Sequence, residues 1–503
     1  MLILLSKRRL LTDLHAILVR ANRLTLPFAF VEKVCIYARP AKLSGPMWKT
    51  LGIFSWNRRL ARVCGIIAFA VLSAVPPQIL AEETPVPATQ PVEPPSLIPP
   101  EQSNQSAELY APLPVAADAT STAVDSSRVD TGIPRRFHYE LRFSMRGAYD
   151  DNINLSHDNR ISDYYTTIEP SIMLGIGDTE TRQENYLRLD YLASLFLFAN
   201  HTEDNALQHV ARVEGQYRIN RLTLTLSQVV QVLDGADVSA SNSTGGFDQR
   251  VNLDVAGRTR FNVYTTRLNA AYYLTGKTFL TLGGDYSATD YSTLISSDVI
   301  SGNLFLNYNY SPKLVVGVGG TAGYNRVDAP NPDQTFEQAN ARLSYQITGK
   351  MDLVTSAGVE FRSFKGQGRD QYVSPVFEIG LNYLPFDGTK LSLTANRRTL
   401  NSAVLAGQDY AVTNITANIQ QRLLARIYLA ASVGYENSNY FSAIAGVTSN
   451  RQDDYYFVEP SIAVRMTRFW TVGAYYLHRA NNSSDDAFTF HDNQVGLRTS
   501  LVF

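Results

Sequence analysis

From residue 137 to the chain end, apolar and polar residues alternate with a period of two. In 137–149, Phe137, Tyr139, Leu141, Phe143, Met145 and Tyr149 share one face, and His138, Glu140, Arg142, Ser144 and Arg146 share the other. Successive side chains on a strand point to opposite sides of the sheet, so this is a strand pattern. The same alternation returns in 336–347, where Ala339, Ala341, Leu343, Tyr345 and Ile347 alternate with Gln338, Asn340, Arg342, Ser344 and Gln346. The pattern predicts eighteen strands, from 137–149 to 489–503. Their expected length, roughly 10–17 residues, exceeds the ~5–6 of soluble strands and suits the ~9–11 of a tilted membrane-spanning strand.

The connections alternate as well. Asn220-Arg221, Thr275-Gly276-Lys277, Ser311-Pro312-Lys313, Thr348-Gly349-Lys350 and Thr467-Arg468 read as tight turns. Longer polar stretches at 150–162, 234–257, 327–334, 400–409 and 441–453 separate them. Short turns on one side and long loops on the other is the asymmetry of outer-membrane barrels. A bilayer core offers backbone groups no partners, so an open sheet edge is excluded there and the sheet must close. The expected fold is an all-β, closed antiparallel transmembrane β-barrel of about eighteen strands, with its apolar face to lipid and its polar face inward.

The chain ahead of the barrel differs in kind. Residues 1–81 hold 12 Lys and Arg but 2 Asp and Glu, leaving 33 basic and 44 acidic residues beyond them. Arg58, Arg59 and Arg62 precede the apolar run Val63 to Val75, and Pro76-Pro77 and Ile79-Leu80-Ala81 follow. This order of basic, apolar and small residues is a secretory signal, starting at Met1 or Met47. Both cysteines, Cys35 and Cys64, fall inside it, so an exported chain has no thiol for a disulfide, metal or nucleophile. Residues 82–135 read as a disordered, Pro-rich periplasmic linker, with ten prolines before Arg135, and 136–503 as the barrel.

Three stretches carry a resemblance. Gly147-Ala148-Tyr149-Asp150-Asp151-Asn152-Ile153 closes the first strand, and Val255-Ala256-Gly257-Arg258 and Leu274-Thr275-Gly276-Lys277-Thr278 lie further on. Together they resemble the outer-membrane beta-barrel porins of type 2, a resemblance that extends in pattern over 137–503. It implies a cell outer-membrane location and, since some members lie in exopolysaccharide operons, a role in polysaccharide export beside a periplasmic export protein. The final strand adds a second likeness. Val495, Leu497, Leu501 and the terminal Phe503 resemble the signal read by the barrel-assembly machinery of Gram-negative bacteria.

The polar phase supplies the expected pore-lining residues: Glu140, Arg142, Arg146, Arg188, Asp190, Arg212, Glu214, Arg218, Arg342, Glu360, Arg362, Arg465 and Arg498. Guanidinium is always charged and pairs with carboxylates through a planar fork, so cross-strand pairs bracing the wall are expected. Near balance of the two signs argues against a strongly anion-selective pore. Tyrosines near strand ends, among them Tyr149, Tyr164, Tyr310, Tyr440 and Tyr455, read as interfacial girdles. Asp150, Asp151, Asp158 and Asp163 read as solvated loop carboxylates rather than a Ca²⁺ site, because no EF-hand spacing is present. His209 lies on an apolar strand face with no serine in phase beside it, and no HExxH or GxSxG motif occurs. The sequence therefore points to a non-enzymatic, cofactor-free and metal-free barrel among lipid and lipopolysaccharide, with no nucleic-acid partner. The expected function is a porin-like channel for passive passage of a hydrophilic solute, secreted exopolysaccharide first. The alternative is a non-conducting structural barrel whose lumen is closed by Arg–carboxylate pairs.

Overall fold

The structure is a computed structural model that describes residues 137–503 apart from 180–181, 183, 235–251, 256, 258 and 367–370. The expected signal at 1–81 and linker at 82–135 lie outside the described residues, as do Ala256 and Arg258 of the second resembling stretch. The first nine strands are β1 (Phe137–Asp150), β2 (Asp163–Gly177), β3 (Tyr186–Phe198), β4 (Ala206–Ile219), β5 (Leu222–Asp234), β6 (Arg260–Tyr273), β7 (Thr278–Tyr291), β8 (Ser297–Ser311) and β9 (Leu314–Val327). They are followed by β10 (Gln334–Thr348), β11 (Met351–Phe364), β12 (Tyr372–Tyr383), β13 (Thr389–Asn401), β14 (Gln408–Leu423), β15 (Ile427–Ser442), β16 (Gln452–Arg465), β17 (Trp470–Ser483) and β18 (Phe490–Val502). Each pairs antiparallel with its sequence neighbours, and β1 also pairs with β18, closing an eighteen-stranded ring. At the seam Leu141 and Phe503 exchange backbone hydrogen bonds of 3.1 and 2.8 Å.

Expected and observed strands coincide to within a few residues. The widest difference is at β17, where the alternation predicts a strand over 469–479 and the observed one runs on to Ser483. Its last residues, Ala480 to Ser483, pair with Tyr456 to Asp453 of β16. Asn481, Asn482 and Ser483 carry no apolar alternation, so the extension leaves no mark in the hydropathy.

The apolar phase faces out. Leu187 is 38 % exposed and Leu497 66 %, whereas Arg146, Asn307, Arg342 and Gln494 of the opposite phase are buried. Exposed leucine, valine and phenylalanine around a ring are stable only against acyl chains, and closure of the ring leaves no end strand to hydrate.

The inner layer lies flat along the wall. Phe457 stands directly opposite Gly434, Tyr475 opposite Gly496, Phe305 opposite Gly319 and Phe336 opposite Gly323. A Cβ on any of these glycines would meet its partner's ring at 2.1 to 2.6 Å. Asn303, Asn307 and Asn340 lie in the same way over Gly283, Gly317 and Gly358. The glycines supply room for neighbouring side chains to lean onto the backbone, the device known from other sheets as aromatic rescue.

Three prolines mark irregularities in the ladder. Pairing between β2 and β3 skips from Ile168 to Ser171 around Pro170, and pairing between β16 and β17 skips from Val458 to Ser461 around Pro460. At Pro375 the effect is larger. The β12–β13 ladder runs from Tyr383↔Leu391 to Phe377↔Arg397 and stops, although both strands continue. Proline has no amide hydrogen, so within sheets it collects at edges and irregularities.

Candidate functional site: the inner wall and the outer mouth

Most of the charged residues expected in the polar phase are joined in pairs along the wall. Arg142 Nη2 reaches Glu140 Oε1 at 2.9 Å, and Arg188 binds both oxygens of Asp190 at 2.8 Å. Arg212 Nη1 reaches Glu214 Oε1 at 3.1 Å. Arg188 also stands opposite Glu214 in the ladder, and Asp190 opposite Arg212. β3 and β4 thus present a four-charge checkerboard with each charge beside two of opposite sign. These pairs were expected across strands; many lie two residues apart on one strand, where side chains share a face and a long guanidinium spans the gap.

The remaining expected residues divide by height. Arg146 lies over the rings of Tyr165 and Phe196 and donates to Thr167. Arg342 lies 4.2 Å over Phe305 and donates to Asn307 and Thr281. Arg498 pairs with Glu459 at 2.7 Å beside Tyr475. Arg362 pairs with Glu360 at 2.9 Å and donates to Gln334 at 2.7 Å. Arg465 donates to the Ala425 carbonyl at the short-turn end, and Arg218 is exposed at that end. Of the expected assembly residues, Val495, Leu497 and Phe503 face outward, Leu501 is half-buried, and Phe503 stacks on Phe469 at 6.1 Å.

In outer-membrane barrels the long loops face the exterior, so the long-loop end is the outer mouth. Several segments converge there. Asp254, in the β5–β6 loop, accepts from Ser402 Oγ at 2.6 Å, from the Ala403 amide at 2.5 Å and from the Tyr440 hydroxyl at 3.1 Å. Arg451 donates to the Leu253 carbonyl, pairs with Asp453 at 2.6 Å and lies over the rings of Tyr440 and Phe488. Burial drives the Asp254 carboxyl above its ordinary value, against the lowering effect of the Ser402 and Ala403 hydrogen bonds and of Arg451. Leu253 packs with Ile153 and Leu155 of the β1–β2 loop and with Tyr165, Phe196 and Tyr455 of the wall. Sequence reasoning missed Asp254 and Arg451, because both sit in loops without periodicity.

The outer ends of β13–β15 contribute to the same closure. Asp409 of β14 accepts from Gln334 of β10 at 3.1 Å, and the Thr399 carbonyl of β13 accepts from Arg362 of β11 at 3.2 Å. Asn401 of β13 accepts from Asn325 of β9, and Phe441 of β15 stacks on Tyr372 of β12 at 3.9 Å.

Two expectations are corrected here. Tyr440 and Tyr455, expected in a lipid-facing girdle, are 6 % and 1 % exposed and turn inward at the mouth, because the loops bring them Asp254, Arg451 and Leu253 to pack against. Tyr149 and Tyr164 do face outward, with ring centroids 4.9 Å apart and the rings tilted against each other. Asp150 and Asp163, expected as solvated, are buried. Asp163 caps the β3–β4 loop through the amides of Asn200 and His201. Asp150 accepts from the Asn152 amide and from Gln494. It also lies with Asp151 and Asp492 in a group whose carboxylate oxygens are within 4.8 Å of one another, where Arg479 binds Asp492. His209 faces outward and shares a hydrogen bond of 2.9 Å with Tyr191.

A family model of beta-barrel porin 2 matches residues 136–502. No curated protein matches. Among solved structures, the barrel is similar to OpdK of Pseudomonas aeruginosa, with 11 % identity, a TM-score of 0.36, and 73 % of this chain and 98 % of that chain covered. OpdQ of the same organism gives 12 %, 0.38, 73 % and 97 %. A loop-deletion mutant of OmpT, an outer-membrane protein of Vibrio cholerae, gives 10 %, 0.29, 73 % and 100 %. With the family matched over the whole ring of strands, the chain belongs to the beta-barrel porin 2 family and is a porin-like barrel of the outer membrane.

Proposed function

We propose that the barrel is a passive channel for a hydrophilic solute, with secreted exopolysaccharide as its first candidate cargo. The observation that carries this reading is the inner layer. Its rings and amides lie flat over glycines, and its charges are neutralised along the wall instead of across the lumen. A wall rich in Asn, Gln, Ser and Tyr with balanced charge offers hydrogen bonds without a strong field, which suits a neutral or weakly charged polyol. Selectivity would come from the width at the mouth and from Glu140, Arg142, Arg188, Asp190, Arg212 and Glu214 as lining residues. In this reading the chain would work beside lipopolysaccharide and a periplasmic export protein, and Val495, Leu497, Leu501 and Phe503 would be read by the assembly machinery.

Planar-bilayer recordings test the channel, and they should show discrete conductance steps. Absence of any conductance above background, at every voltage, would leave a structural barrel in its place. Convergence of Asp254, Ser402 and Arg451 at the mouth favours that second reading, but as a closure by loops, since the Arg–carboxylate pairs of the wall join residues of one strand or of nearby strands, Arg498–Glu459 spanning the widest interval from β18 to β16. For the cargo, deletion of the gene should lower surface or secreted polysaccharide; an unchanged amount would remove it.

A further inference from the structure

The contacts of β13–β15 with β9–β12 have an unusual sidedness. On the inner halves of these strands Leu393, Ile415 and Val433 are exposed to the outside of the ring. Thr399 and Asn401 share the face of Leu393, Asp409 shares that of Ile415, and Phe441 that of Val433, because each is an even number of residues away. These outward-phase positions ought to meet lipid. They meet the inner wall instead. Asn325, Gln334, Arg362 and Tyr372 belong to the inward phase, opposite the exposed Val318, Tyr345, Phe361 and Val373 of their own strands. Gln334 and Asp409 are both 0 % exposed and Ala411 is 1 % exposed, so the seat is closely packed. Outer faces can touch inner faces across the ring only if the outer ends of β13–β15 lie inside β9–β12.

This placement explains the interrupted ladder. Residues 398–401 have been drawn away from β12, leaving residues 372–376 paired only with β11. Arg362 supplies a donor to the Thr399 carbonyl, one of the groups freed on β13. If the register continued, Thr399 would face Pro375, whose missing amide makes the local pairing weak. Sequence chemistry fits as well: below the break the outward phase is Leu, Ile and Val, and above it the same phase turns to Thr, Asn and Asp, which can satisfy either headgroups or an amide-lined wall.

Building on the channel reading, we propose that the outer halves of β13 and β14, with the end of β15, are a hinged gate. It moves between its present seat on the inner faces of β9–β12 and a wall position in which β13 resumes its ladder with β12, opening the mouth. The hinge is the last pair, Phe377↔Arg397. In the wall position the same register sets Ser374 directly opposite Leu400, at the ~4.5–5.5 Å Cβ separation of cross-strand partners.

The test uses the full chain with Cys35→Ser and Cys64→Ser, so that introduced thiols are the only ones. The pair Ser374→Cys with Leu400→Cys should form a disulfide under mild oxidant, read by gel mobility, and oxidation should raise conductance several-fold, reversed by reductant. The pair Gln334→Cys with Asp409→Cys, joined by a short bifunctional thiol reagent, should suppress conductance. Asp409→Ala, which needs no cross-link, should raise the open fraction at fixed voltage. If Ser374→Cys and Leu400→Cys never join while the unmodified chain conducts, the hairpin is fixed in its inner seat and the gate fails alone. If the disulfide forms and conductance stays the same in both locked states, the segment moves without gating, and the proposal is again overturned. If both cross-links form and no variant conducts, the channel reading fails and the gate falls with it.

Discussion

Asp254 and Ser402 meet at 2.6 Å, although their loops leave strands eight places apart in an eighteen-membered ring. Asp254 is held at the mouth by the Ser402 hydroxyl, the Ala403 amide and Tyr440, and the β13–β14 tip that carries the first two is itself bonded to Ile295 of the β7–β8 loop and Asn331 of the β9–β10 loop. Such a fastening should depend on pH. Burial holds the Asp254 carboxyl above its ordinary value, so the neutral form is favoured in the fastened loop. Its contribution is whole below about pH 4, the value of a free carboxylic acid, and fades as pH rises through the raised value. Limited proteolysis within this loop should accelerate as pH rises, and Asp254→Asn, which stays neutral, should flatten the profile. Parallel profiles for the two proteins would exclude Asp254 as the titrating group.

The ring itself was legible from alternation. Leu187, Leu343 and Leu497 in one phase and Arg188, Arg342 and Arg498 in the other specify which face meets lipid once the strands are too long for a soluble sandwich. The shared face of Glu140 and Arg142, or of Arg188 and Asp190, was legible too, but the pairing was expected across strands and the i, i+2 contacts were not read. What was not legible is anything made by tertiary approach. Tyr440 reads as a girdle residue until the loop bearing Asp254 reaches it. Thr399 and Asp409 lie in strands of ordinary length, so the folding-in of β13 and β14 leaves only Pro375 and the change of the outward phase from apolar to polar as its trace. Residues such as Asp163 look solvated because the amides they cap belong to a loop 37 residues on.

The outer end of the β17–β18 ladder, next to the closing seam, should depend on one buried ion pair. Arg479 and Asp492 are register partners with almost fully buried side chains, and Asp150 and Asp151 crowd the same carboxylate. Arg479→Met would leave Asp492 without its cation, at a cost of about 3–5 kcal/mol. Urea unfolding from lipid vesicles should register that loss, and adding Asp492→Asn should recover most of it. A change below about 1 kcal/mol, the scale of an exposed pair, would mean that water screens the site.

Gly434 gives a purely steric prediction. A side chain there meets the Phe457 ring at 2.1 Å, so the ring must leave its seat on the β15 backbone. Gly434→Val should destabilise the barrel by about 1–3 kcal/mol, as overpacking does. Shrinking the ring with Phe457→Leu in the same chain should relieve the larger part. If the two substitutions simply add in the same unfolding measurement, the ring and the glycine are not coupled.

The checkerboard on β3 and β4 ties the wall to selectivity. Arg188 lies between Asp190, at 2.8 Å on its own strand, and Glu214, its cross-strand partner. Arg188→Ala removes one positive charge and leaves two neighbouring carboxylates less compensated. The reversal potential in a salt gradient should then move toward cation selectivity. Glu214→Ala alone should move it the other way, and the double substitution should bring it back near the starting value, because the net charge of the group is restored. The shifts should shrink as salt rises, since the reach of each charge falls from ~10 Å at 0.1 M to ~3 Å at 1 M. Three variants with the starting reversal potential at low salt would place these four side chains away from the conducting path, and with them the assignment of this face as the lining.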